Sequence, residues 1–285
     1  MKIQRISLIK MTAVFLLNQL LFFFSVPAQA AISKELSDEA EKEEAEAQLH
    51  LAQKYLDGID IERDPERAYY WFLQASRNGD LNAQLKVAQM YFLGEGVAKD
   101  DQKSFYWTKK TAEAGIASAQ YNLAMMFDAG TGTEKSSTHA SVWYEKAAVQ
   151  GYVLAQNTLA WRYGKGIGLG QDNAKAAYWY RKSAENADPF GQYNLGRMLI
   201  KGEGVERDEQ EAFFWWMKAA RQGFVLAQSR LGYSYAQGVG VQKDLQQAFR
   251  WWSIAAGGGN AVARKNLDIL CHDNPRVCVT GVVVD

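Results

Sequence analysis

The chain has 285 residues, of which 32 are basic and 32 acidic, and 48% are hydrophobic. Such a balance leaves no basic domain of the kind that holds nucleic acid, so a nucleic-acid partner is not expected. The length is great for one globular core but natural for a stacked array, which needs no central core to grow.

In chain order, Lys2, Arg5 and Lys10 precede an apolar run from Met11 to Val26, and Ala28-Gln29-Ala30 forms a small-x-small cleavage site. This layout predicts a cleaved secretory signal peptide over residues 1–30. A retained anchor needs about 20 apolar residues, whereas this run is short and carries Asn18 and Gln19. Ala31 follows the site where lipid attachment would require cysteine. Cleavage leaves 29 basic against 32 acidic residues. With no second apolar span, the mature chain is expected to be soluble and to reach a membrane only through a partner. The alanine-rich site favours a bacterial periplasm, with secretion or the cell surface as alternatives.

Residues 31–44 are acidic, with Glu35, Asp38, Glu39, Glu41, Glu43 and Glu44 against Lys34 and Lys42. They read as a polar cap on the array, with an acidic docking arm as the alternative. From there one register governs the chain. Gln48, Gln84, Gln120, Gln156, Gln192 and Gln228 are spaced by 36 residues, as are Trp71, Trp107, Trp143, Trp179, Trp215 and Trp251. Gly58, Gly94, Gly130, Gly166, Gly202 and Gly238 keep the same step. Within one copy, Gly191, Leu195 and Leu199 share a helical face. The Gly202-Glu203-Gly204 turn reverses the chain, and Asp208 with Glu211 has the pattern of a capping box. Ala212, Trp215, Trp216 and Ala219 form the stripe of the second helix, a core stripe rather than a cofactor box. One such hairpin cannot bury its stripe alone, whereas stacked neighbours can. The fold class is therefore all-α, an α-solenoid of six helical hairpins over residues 45–260. Residues 261–285 supply a capping helix, in which Ala263 and Leu267 keep the register, and a tail rich in β-branched residues.

The pattern (A/G)-Q-x-x-L-(G/A)-x-x-Y, G-x-G-V-x-x-D, A-x-x-W-(Y/F/W)-x-K-A-A-x-x-G resembles Sel1-like repeats, relatives of tetratricopeptide repeats. Repeats 5 and 6 match nearly throughout; repeat 1 departs at Asp60, and repeat 4 at Ala187 with Pro189 after it. The resemblance implies an exported scaffold or adaptor that binds a protein or peptide in its concave groove, with no catalytic chemistry and no cofactor. A cell-wall or β-lactam binding hydrolase of the cysteine-rich Sel1-like type is the alternative, and a structural subunit of an envelope complex is another. The hydrolase-like relatives carry cysteine pairs repeat after repeat, whereas this chain has one pair, Cys271 and Cys278, at its end.

In an exported chain that pair is expected to form a disulfide pinning the tail to the capping helix. His272 beside Cys271 lacks a fourth ligand for a metal site, and His50 and His139 stand on different repeats without an evident partner. Gly130-Thr131-Gly132-Thr133-Glu134-Lys135-Ser136 imitates a phosphate loop, but Glu134 stands where the motif requires glycine. The informative positions are those that vary while the register holds. Leu49, Leu85, Tyr121, Asn157, Tyr193 and Ser229 form one series, and Gln53, Gln89, Met125, Trp161, Arg197 and Tyr233 another, four residues on. The resemblance turns this stripe toward the groove. Tyr121, Asn157, Trp161, Tyr193, Arg197 and Tyr233 are therefore the expected partner-binding residues, because exposed tyrosine, tryptophan and arginine dominate binding hot spots.

Overall fold

The computed structural model describes residues 45–279; the expected signal peptide and the acidic segment up to residue 44 lie outside this range. Fourteen helices make up the described residues, with no strand among them. The first helices of the repeats are α1 (Ala45–Asp57), α3 (Leu81–Leu93), α5 (Ala117–Ala129), α7 (Val153–Lys165), α9 (Pro189–Lys201) and α11 (Val225–Gln237). The second helices are α2 (Pro65–Arg77), α4 (Asp101–Glu113), α6 (Ser137–Val149), α8 (Asn173–Glu185), α10 (Glu209–Arg221) and α12 (Leu245–Gly257). α13 (Ala261–Asp273) occupies the place of a seventh first helix, and α14 (Pro275–Val279) is a single turn beyond it. The chain forms two compact units, one running to Gly115 and including Thr131–Thr133, the other made of Ile116–Gly130 and the residues from Glu134 onward.

Each boundary has a local cause. Asp64, Asp100, Ser136, Asp172, Asp208 and Asp244 cap the second helices by accepting a backbone N–H from the first turn. Such a cap contributes about 1 kcal/mol. At Asp208 only half of the expected capping box forms. Its carboxylate accepts from Glu211 N at 2.8 Å, but its own N–H donates to the carbonyl of Leu199. The Glu211 side chain turns away to bind Arg181 on α8 at 2.5 Å and the indole N–H of Trp215 at 3.0 Å. Hydrogen bonding from Arg181 holds the Glu211 carboxyl below its ordinary value of 4.5.

The two glycines of each turn have different duties. The first ends its helix in the left-handed conformation, at φ +68° for Gly202. The second is an inter-repeat contact: a Cβ on Gly204 would lie 2.1 Å from the carbonyl oxygen of Asn173, at the start of the preceding second helix. Gly168 and Gly240 meet Ser137 and Glu209 in the same way at 2.0 Å, as does Gly96 with Pro65 at 1.9 Å. Asp60 holds this place in repeat 1 at φ +64°; among the described residues no second helix precedes repeat 1 to make the close approach that demands glycine. Ala187, at φ +61°, replaces the closing glycine of repeat 4. At the equivalent Gly151 and Gly223 a Cβ would meet nothing within 4 Å, so only the backbone conformation penalises a side chain there.

The cores are small residues facing large ones. In the first unit Ala52, Ala68, Phe72, Ala83 and Val87 pack together. In the second, Ala155, Leu159, Ala176, Tyr180 and Leu195 belong to one cluster. Repeats 5 and 6 exchange the partners: Gly196 and Gly232 lie where a Cβ would stand 2.4 Å from the indoles of Trp216 and Trp252. At the chain's end Cys271 and Cys278 are joined, with Cα atoms 5.6 Å apart, so α14 is tied to α13 as expected; Val277 packs on the terminal core.

Two outcomes follow for stability. Ala187→Gly should raise the denaturant midpoint, by about 1 kcal/mol of relieved left-handed strain, whereas Gly204→Ala should lower stability by about 2–4 kcal/mol. Glu211 has a depressed folded-state pKa, so its contribution is present above the unfolded value and lost as pH falls through the folded one. Wild type should thus exceed Glu211→Gln in stability at pH 7, and urea titrations should show the difference vanishing under acid conditions.

Candidate functional site

An α-helix turns 100° per residue, so the second, sixth, ninth and thirteenth residues of a 13-residue helix fall within about 60° of one another. In the second unit the ninth residues are Met125, Trp161, Arg197 and Tyr233, and all four are exposed, Trp161 at 47% and Tyr233 at 46%. The second residues Leu154, Phe190 and Leu226 join them as exposed apolar groups. These last three were not singled out from the sequence, although their seven-residue offset from Trp161, Arg197 and Tyr233 places them on the same stripe. Together they form a first-helix face that is apolar and aromatic with interspersed cations.

The other half of the expected set sits differently. Tyr121, Asn157 and Tyr193, at the fifth helical position, are not exposed. Each is paired with the residue that precedes the next repeat. The ring of Tyr121 packs at 5.3 Å from that of Tyr152, and Tyr193 at 5.4 Å from Phe224. In repeat 4 both partners become polar: Asn157, 8% exposed, donates from Nδ2 to Asp188 Oδ2 at 2.9 Å. The same Asp188 oxygen accepts from Gly191 N and Ser183 Oγ. This series therefore varies because its partner varies with it, and it lines the joint between repeats. The structure thus splits the expected stripe into an exposed row and a packed row.

Under Trp161 lies an unanticipated polar group. Arg162 is buried, 2% exposed, where repeats 2, 3 and 5 place methionine. Its guanidinium donates to Asp128 Oδ2 at 2.6 Å, Ser141 Oγ at 2.8 Å and the Ser137 carbonyl at 2.7 Å, and lies 5.2 Å over the ring of Tyr144. Asp128 and Ser141 stand where other repeats carry Leu56 or Ile200 and Phe213 or Phe249. Three apolar side chains have been exchanged for one satisfied network. Burial, reinforced by the Asp128 carboxylate, pushes the Tyr144 phenol upward, so it stays neutral. The guanidinium is closed off from solvent while Asp128 is only part-buried, and the network fixes α7.

The three histidines stand on different helices. His139 Nδ1 is 2.8 Å from the capping Ser136 Oγ, with its ring stacked on Phe127. His272 pairs with Asp273, and His50 is exposed. Among the described residues no cluster of three His, Cys, Asp or Glu could hold a metal, and no helix is long and apolar enough to cross a membrane.

These features define a helical-hairpin repeat protein of the solenoid class. The Sel1 repeat model matches residues 45–80, 81–116, 117–152, 153–188, 189–224 and 225–260, and the chain belongs to the Sel1 repeat family. A protective antigen of uropathogenic Escherichia coli strains with the SLR fold is similar at 32% identity and a TM-score of 0.80, over 88% of this chain and 53% of that one. The chain thus spans about half the length of that relative. A Sel1 repeat protein from Oxalobacter formigenes is 31% identical with a TM-score of 0.63, over 75% of this chain and 88% of that one. No curated protein matches the sequence.

The Arg162 network yields a direct test. Asp128→Ala should strand the buried guanidinium and cost about 3–5 kcal/mol. Combining Asp128→Leu, Ser141→Phe and Arg162→Met, which restores the apolar residues of other repeats, should recover most of that in chemical denaturation.

Proposed function

We propose that the chain is an exported protein-interaction module that holds a protein or peptide partner on the first-helix face of its second unit. Its family membership supports the general role, since this repeat fold commonly serves as a protein-interaction scaffold. The observation that carries the location is the state of Trp161 and Tyr233. Exposed aromatics on the second helices are braced. Tyr178 stands edge-on to Trp179 at 5.0 Å beneath Lys182, and Phe214 edge-on to Trp215 at 5.1 Å beneath Lys218. Among the described residues Trp161 and Tyr233 make no ring or cation contact. Large unbraced aromatics beside an arginine have the composition of a binding hot spot.

Export is supported by the leader-like residues 1–30 and by the Cys271–Cys278 bond, which persists in oxidising compartments. The protective-antigen character of the similar E. coli protein is in keeping with it. Binding is the whole activity in this reading, and no residue is assigned a catalytic role.

In-cell crosslinking from a photoreactive residue at position 161 should give one strong protein adduct, and the same residue at the braced Tyr178 position should not. Trp161→Ala with Tyr233→Ala should abolish the association with helicity unchanged. An identical adduct from both positions, or none from position 161, would remove the partner from this face.

A further inference from the structure

Four consecutive first helices of the second unit, α5, α7, α9 and α11, contain a single carboxylate, Asp128, and Arg162 occupies it. Their exposed charges are Lys165, Arg197, Lys201 and Arg230, all basic, in a chain whose acids and bases are equal in number. Lys201 is paired with Glu203 in the following turn. Among the described residues Lys165, Arg197 and Arg230 have no carboxylate within ion-pairing distance, and Arg197 bonds only the Asn194 side chain. By helical position these cations lie on the stripe that carries Leu154, Trp161, Phe190, Leu226 and Tyr233. The face therefore alternates apolar groups with uncompensated positive charge.

At its far end Tyr233 borders a cleft of about 350 Å³, lined also by Lys243, Trp252, Asn266, Ile269 and Asp273. Its volume suits one large apolar side chain. Lys243 is exposed and has no acidic partner among the described residues, and Asp273 lies within hydrogen-bond distance of the His272 imidazole, at 2.8 Å.

We infer that the partner of this face is an acidic peptide, a segment in which aspartate or glutamate alternates with aliphatic or aromatic anchors. Its carboxylates meet Lys165, Arg197 and Arg230, and one anchor enters the cleft beside Tyr233 with a carboxylate near Lys243. This rests on the proposed partner-binding role of the face and gives that role its chemistry. The cations are few, separate and interleaved with apolar groups, whereas a nucleic-acid backbone requires a dense basic track. Charge on such a rim sets selectivity and association rate, and the aromatic contacts set residence time.

The test is selection of a random-peptide phage library on the full chain, with the enriched peptides synthesised and titrated by fluorescence anisotropy. The enriched set should be net negative and carry aromatic or aliphatic anchors. Raising salt from roughly 50 to 500 mM should weaken binding about tenfold or more. Arg197→Glu with Arg230→Glu should produce a loss of similar size, and Trp161→Ala with Tyr233→Ala should abolish binding; all four side chains are exposed, and circular dichroism checks folding. Neutral or basic peptides that still require Trp161 and Tyr233 would overturn the acidic chemistry and leave the face as the binding site. Peptides indifferent to Trp161 and Tyr233 would overturn both. No enrichment, or retention of single-stranded DNA or anionic vesicles lost on Arg197→Glu with Arg230→Glu, would also overturn the acidic-peptide assignment.

Discussion

The repeats hold together through one buried amide. The fourth residue of each first helix from α1 to α11 is glutamine, and every one is buried. Gln192 donates from Nε2 to the carbonyl of Ala184 near the end of the preceding second helix, and its Oε1 accepts from Gln222 at the end of its own. Gln156 does the same between Ala148 and Asn186. Both carbonyls belong to a last helical turn and also accept a backbone N–H from the turn that follows, Ala184 from Ala187 and Ala148 from Gly151. A buried side-chain amide left unpaired costs about 1–3 kcal/mol. The side chain therefore satisfies its own amide while fixing three helices in one geometry. Variation elsewhere is accommodated without moving it. In repeat 2 Ala114 holds the place of Asn186 and Gln222, and Thr111 reaches Gln84 Oε1 from the turn before.

Around that fixed point the packing is an exchange of volumes. Ala160 faces the side of the core that contains Tyr180, and Gly196 faces Trp216. The indole N–H of Trp216 then finds the carbonyl of Tyr193 at 3.1 Å, as Trp252 finds that of Ser229 at 3.2 Å. A tryptophan is tolerated in the core because the glycine both makes room and brings a backbone acceptor within reach. Such pairs let repeats differ in composition and keep one hairpin geometry, so that exposed positions are free to diverge.

Much of this was legible in the sequence because its causes are periodic. Gln192, Trp215 and Gly202 each repeat in one register, so the hairpins, their turns and their second-helix caps could be read directly. What escaped depends on pairs that are distant in sequence. Tyr121 and Met125 look equally variable, but Tyr152 lies against the first and no side chain was foreseen there. Arg162, Asp128 and Ser141 each break the register mildly, and only their meeting in space turns three oddities into one network. Asp208–Glu211 had the spacing of a capping box, but the charge of Arg181 on another helix outcompeted the reciprocal bond. The leader and acidic segment lie outside the described residues, so their reading rests on sequence alone.

The asymmetry between the two helix faces bears on what the chain is for. Both faces expose aromatic side chains, so exposure alone does not distinguish them. On the second helices the rings of Tyr70, Tyr106, Tyr178 and Phe214 stand edge-on to the adjacent tryptophan at 5.0–5.4 Å. That contact stabilises the folded chain and accounts for their retention without any partner. No comparable intramolecular gain attaches to Trp161 or Tyr233, which leave roughly half their surface in water. Leaving so large an apolar area exposed favours non-specific association, and a scaffold under selection for stability alone would be served equally well by the glutamines found at Gln53 and Gln89. Glutamine at this place in the first unit against aromatic or cationic groups in the second is the difference on which the proposed binding face rests.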